Sequence, residues 1–223
     1  PVLDPNSIHL DPLWLWAHWL YWPILIWAVL RAPWSILLQK DSSNILFASS
    51  ATIFLFWQLK IHIADGVSIH LLGATILTLM FRWQVAIMAN CAIILGVTLI
   101  SSADFGGFAL NALLTGVLPV TISYLLWWVN ERYLPANYFV YIFFAGFFAA
   151  ALSILITGFI SYELLSLLEN QLSEETLDQY LLIYIPIMYP EAFITGAVIS
   201  IFVIYKPQWI ATFDDRRYLR RRS

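Results

Sequence analysis

Two histidines and an aspartate fall within nine positions in the stretch Ile61-His62-Ile63-Ala64-Asp65-Gly66-Val67-Ser68-Ile69-His70-Leu71-Leu72-Gly73. Imidazole and carboxylate are ligands for transition metals, and His9 and Asp11 near the start of the chain add a third ring and a second acid. His70, His62 and His9 could therefore hold nickel, cobalt, copper or zinc, with Asp65 or Asp11 ligating the ion or orienting a ring. The same residues could equally be interfacial polar groups satisfied by water and headgroups. His18 lies in a tryptophan-rich run and reads as a hydrogen-bonded packing residue. Glu191 is a different case, because it stands inside an apolar run, in Tyr189-Pro190-Glu191-Ala192. A carboxylate at membrane depth needs a partner inside the protein. It could relay protons or couple transport. The preferred reading is structural, with Glu191 accepting hydrogen bonds from backbone opened by Pro186 and Pro190. Asn90 and Asn111 read as amides that bond between helices.

The elements that must position these groups are membrane helices. Of 223 residues, 61% are apolar and 11% charged, and the mean hydropathy is +0.78. A soluble domain carries about 25% charged residues, so this chain lacks the charge to cover a water-facing surface. A span needs about 20 mainly apolar residues. Seven runs qualify or nearly do: 13–30, 45–59, 69–81, 85–100, 110–129, 138–160 and 181–205, with 206–223 as a basic tail. The third is short, so part of the His62–His70 turn is expected to dip into the bundle, where its backbone must be satisfied by protein or water. With the tail inside, every Lys and Arg except Lys60 falls on the cytoplasmic side, as the positive-inside rule requires. The expected architecture is a single all-α integral membrane domain of seven transmembrane helices, N-terminus outside and C-terminus cytoplasmic. His9, His62 and His70 then share the outer face.

Several functions are excluded or disfavoured. There is no GxxxxGK[ST] for ATP hydrolysis, no HExxH and no GxSxG. Cys91 is the sole cysteine, so no intramolecular disulfide or CxxC site exists. No enzyme and no nucleic-acid binder is expected, and no organic cofactor. Asp4 and Asp11 precede the first apolar run without a basic segment, so no cleaved signal peptide is expected. Small residues at Gly146, Ala149, Ala150 and Ala151 let the sixth span approach a neighbour closely.

Gly66-Val67-Ser68-Ile69-His70-Leu71-Leu72-Gly73-Ala74 resembles the Gly-Thr-Ser-Gly-His-Leu-Leu-Gly-Gly turn of the cobalt/nickel substrate-capture components of energy-coupling-factor transporters. Asp104-Phe105-Gly106-Gly107 with Ala109-Leu110-Asn111 is similar to that family's outer loop and the Asn-bearing helix after it. Pro190-Glu191-Ala192-Phe193-Ile194-Thr195-Gly196 resembles its last-helix segment. Phe139 to Phe143 and Trp209 to Leu219 look like a proteobacterial side branch. The resemblance implies a bundle of six or seven helices in the bacterial inner membrane, holding its ion near the outer face. It implies a ligand role for His70, with Asn111 and Glu191 as supporting residues. The family's terminal Met-His-Ile-Pro-Asp-Gly has no counterpart at the same place. The nearest matches are Ile8-His9-Leu10-Asp11-Pro12 and Ile61 to Gly66, so His9 or His62 would serve as side-chain ligands instead. A different geometry could then favour a different metal, copper included. A transporter of this kind would borrow an ATPase and a coupling membrane subunit. The rival expectation is an accessory subunit that keeps the bundle and packs into a larger membrane complex.

Overall fold

The structure, a computed structural model, describes residues 2–3, 16–59, 61–64, 67–100, 105–166 and 174–218; at 2–3, 61–64, 67–69, 165, 174–181, 215 and 216 it describes the backbone alone. Helices α1 (Trp16–Arg31) and α2 (Lys40–Phe56) come first, joined through a single turn at Trp34–Leu37. α3 is Ala74–Ile100 and α6 is Glu174–Tyr205. Between them, α4 is the helical stretch Phe105–Tyr133, and α5 is Tyr138–Leu164. Among the described residues four stretches are long and apolar enough to cross a membrane: Ala74–Ile100, Phe105–Tyr133, Tyr138–Leu164 and Leu182–Tyr205. α1 and α2, at 16 and 17 residues, fall below that length.

The outer surface is what a lipid environment selects. Trp19 is 83% exposed, Leu30 75% and Phe47 72%. A soluble protein does not present such a continuous apolar surface to water. Packing inside relies on small residues. The Cα of Gly196 on α6 lies 3.6 Å from where a side chain on Gly146 of α5 would begin. A side chain on Gly158 would meet the Tyr184 ring at 2.4 Å, so α5 and α6 can approach only with glycine at that position.

Three findings depart from the sequence reading. The all-helical expectation omits a small antiparallel sheet, in which β1 (Val2–Leu3) and β2 (Ile61–Ala64) flank β3 (Val67–Ile69). The run expected to be a span from residue 69 starts its helix only at Ala74. Finally, the gap expected at 82–84 is one residue wide. Arg82 alone leaves helical geometry, at φ 64° and ψ 177°, and splits α3 into a short arm of residues 74–81 and a long one of 83–100. A non-glycine residue there costs on the order of 1–3 kcal/mol and persists only if its surroundings hold it.

The C-terminal segment does the holding. Ala211 N–H donates to the Met80 carbonyl (3.0 Å) and Thr212 N–H to that of Leu79 (3.2 Å), both of which the break leaves without helical partners. Thr212 Oγ1 adds a second donation to Leu79 O (2.6 Å), and Arg82 Nε donates to Ala211 O (3.2 Å). Trp127 Nε1 caps the Thr212 carbonyl, and the Tyr141 hydroxyl lies 2.7 Å from Thr212 Oγ1. Ile210, Phe213 and Tyr218 complete an apolar cluster with Leu79, Trp127 and Tyr141. The tail is therefore a packed part of the fold up to Tyr218, and Arg217 pairs with Glu131.

Candidate functional site

After β3 the chain turns inward, and His70, Leu71, Leu72 and Gly73 descend into the bundle before the short arm of α3 begins. His70 and Leu72 are each only 3% exposed. Non-helical backbone at such depth must find its hydrogen bonds within the protein. Two distant side chains supply them. Glu191 on α6, itself 3% exposed, accepts from Leu72 N–H through Oε2 and from Gly73 N–H through Oε1, both at 2.8 Å. Trp57, just past α2, donates its indole N–H to the Leu72 carbonyl at 3.1 Å. Gly73 stands at φ +64°, where a side chain would be strained and would press on Ile53 at 3.0 Å. From there Ala74 opens the helix.

The His70 ring lies against Trp57, with centroids 4.1 Å apart and planes tilted by 38°. Its Nδ1 is 3.0 Å from the Leu71 carbonyl. A carbonyl can only accept, so Nδ1 carries a proton; in the neutral ring Nε2 then carries the lone pair, the tautomer a metal ligand needs. The ring is thus held in position and orientation by Trp57 and the Leu71 carbonyl.

The sheet brings the backbone of one other expected residue, His62, beside the strand that leads into this turn. In backbone register His62 pairs with Ser68, two residues before His70, and Val2 pairs with the same Ser68. The N-terminal segment and the β2 segment therefore meet beside the turn. His9, Asp11 and Asp65 lie outside the described residues, and at His62 only the backbone is described. Among the described residues no three His, Cys, Asp or Glu side chains come together. Asn111 is buried at the start of α4, 7% exposed. His18 is 3.3 Å from the Gly106 carbonyl through Nε2 and accepts from Trp22 Nε1 at Nδ1, in keeping with a packing residue.

The expectation for Glu191 needs a correction in its partners. It does not cap the backbone near Pro186 and Pro190; it caps the turn 118 and 119 residues earlier. Trp57 was missed altogether. The available signal was a tryptophan at the inner edge of a polar turn, just after an apolar run.

Comparison with solved structures supports the helical-bundle fold. Two crystal structures described as a transition metal transporter, one of them a truncated form, superpose with a TM-score of 0.69 each at 15% identity. Each match covers 88% of this chain, and 95% (truncated form) or 90% of the other. No curated protein sequence matches. The cobalt uptake substrate-specific transmembrane region matches residues 8–209, and the chain belongs to that family. It is a multi-pass membrane component of metal uptake and not an enzyme.

Proposed function

We propose that the protein is the substrate-capture component of an energy-coupling-factor type transporter, taking a transition-metal ion from the outer side of a bacterial inner membrane. His70 is the anchoring ligand, with His62 and His9 as further ligands and Asp65 and Asp11 in support. Cobalt or nickel is the leading cargo, and a side-chain histidine set also suits copper. The observation that carries this reading is the inward turn itself. Two buried side chains from other elements, Glu191 and Trp57, are committed to holding the backbone around a single imidazole. The sheet supports the choice of the other ligands, because it leads both the N-terminal segment and β2 to Ser68. Seven spans with the N-terminus outside and the C-terminus inside would put the turn on the outer face. The chain has no ATP-binding motif, so transport requires an ATPase and a coupling membrane subunit.

The test is metal analysis of the purified protein after incubation with cobalt, nickel or copper ions, repeated with His62→Ala and His9→Ala. Stoichiometric metal in the parent protein that falls in both variants supports the ligand set. Absence of bound metal together with a co-purifying membrane enzyme would instead favour the accessory-subunit reading.

A further inference from the structure

A groove of about 490 Å³ runs along the side of the bundle between α2, the short arm of α3 and the C-terminal half of α6. The His70 ring does not line it, although Leu71, Gly73 and Glu191 of the inward turn's surroundings do. Its walls are overwhelmingly apolar, with Ile45, Ala48, Ile76, Ile194 and Val198 along its length. One end is marked by Phe56, Gly73 and Glu191, beside the inward turn. The other is marked by Asn44, Met80 and Trp209, beside the docked tail.

The groove's length matches one leaflet of a bilayer. From Asn44 to Phe56 along α2 is twelve residues, which at 1.5 Å per residue is about 18 Å. One leaflet of a bilayer contributes about half of a ~30 Å hydrocarbon core, or about 15 Å. The space is one leaflet long and apolar along its length, which suits a hydrocarbon chain.

The tail end of the groove also carries the charge to receive a headgroup. Lys206 sits with its ammonium 5.9 Å from the centre of the Trp209 ring, and Trp209 itself lines the groove. Lys40 precedes Asn44 by four residues on α2, so it lies on the same helix face one turn further out. Asp41 follows it about a quarter turn round the helix, the acid next to this end on α2. Two lysines and a tryptophan at the mouth of an apolar slot match an anionic lipid at an interface.

We propose that this groove holds one acyl chain of an anionic phospholipid, with its phosphate between Lys40 and Lys206. The lipid wedges α2 against α6 and covers the flank of the short arm of α3.

Native mass spectrometry of the full chain, extracted in mild detergent from membranes of mixed zwitterionic and anionic phospholipid, tests this. The parent protein is expected to retain one phospholipid, enriched several-fold in anionic species over the bulk membrane. Ala48→Trp and Thr52→Trp fill the groove from exposed positions, and each is expected to reduce the retained lipid at least ten-fold. Lys40→Ala with Lys206→Ala is expected to keep a lipid but lose the enrichment. In parallel, phosphatidylglycerol carrying a photoreactive acyl chain is expected to label parent-protein peptides containing Ala48 or Val198. The assignment is overturned if the parent protein is lipid-free, if both tryptophan variants retain lipid undiminished, or if label falls elsewhere. A polypeptide cross-linked along the groove would overturn it too. Enrichment that survives loss of both lysines would overturn the headgroup assignment.

Discussion

Replacing Glu191 by glutamine tests how the inward turn is held. In the parent protein each carboxylate oxygen takes one backbone N–H, at 2.8 Å on both sides. Glutamine keeps the shape but has one acceptor oxygen and an NH₂ group that can only donate. One of the two N–H groups, on Leu72 or Gly73, is left facing a donor in a buried site. Losing a hydrogen bond and orphaning the buried donor costs about 1.5–3 kcal/mol. For a chain of this size that corresponds to a fall in Tm of about 3–12 °C. Glu191→Ala orphans both donors and leaves a void, so its loss should reach about 3–6 kcal/mol. Glu163→Gln, at an exposed position, should stay within about 0.5 kcal/mol. Thermal unfolding in detergent, followed by tryptophan fluorescence, is a suitable assay because Trp57 touches both His70 and the Leu72 carbonyl. The order alanine, glutamine, then parent protein is the expected ranking from least to most stable. A Glu191→Gln protein as stable as Glu163→Gln would refute the reasoning.

Four further expectations can be checked on the same preparation. Gly73→Ala forces a side chain into left-handed backbone and towards Ile53, and should lower stability by about 1–2 kcal/mol, read as a drop in Tm. Thr195→Val removes a buried hydroxyl with no hydrogen-bond partner among the described residues, so stability should hold or rise by about 1 kcal/mol. Thr212→Val instead removes the donor to Leu79 O and the neighbour of the Tyr141 hydroxyl, and should cost about 1–3 kcal/mol. Equal effects of the two threonine substitutions would count against the contacts described. Burial, with the hydrogen bond to Glu131 next, pushes the Tyr218 phenol above its usual range. Its neutral form is favoured in the folded state, so tail docking should hold below the free phenol's value of about 10 and weaken as pH rises beyond it. Proteolysis of the C-terminal segment should accelerate above that pH, and Tyr218→Phe should flatten the dependence.

Much of this arrangement could be read from residue order, and the reasons it could not all be read are physical. The run 69–81 is too short to cross a bilayer, and that shortage alone points to an inward turn before it. Glu191 inside an apolar run points to a buried acceptor. The identity of what it accepts from was hidden, because no local pattern links it to a turn more than a hundred residues away. The strands were within reach: Ile61-His62-Ile63 and Val67-Ser68-Ile69 alternate about Asp65-Gly66, a hairpin pattern that the apolar flanks overshadow. The tail's arginines drew attention to charge and away from Ile210, Phe213 and Tyr218, whose burial anchors the segment. A single-residue helix break such as Arg82 leaves no signature in composition, since it arises from contacts with Ala211 and Thr212 rather than from a glycine or proline.

The most direct test of the capture role is calorimetric titration of cobalt or nickel ions into the purified protein and into His70→Ala, with folding of the variant confirmed by its thermal transition. The account predicts one ion bound per chain in the parent protein and at least a hundred-fold loss of affinity (~2.7 kcal/mol) in the variant. Undiminished binding by a folded His70→Ala protein, or no binding of any transition metal by the parent, would contradict it.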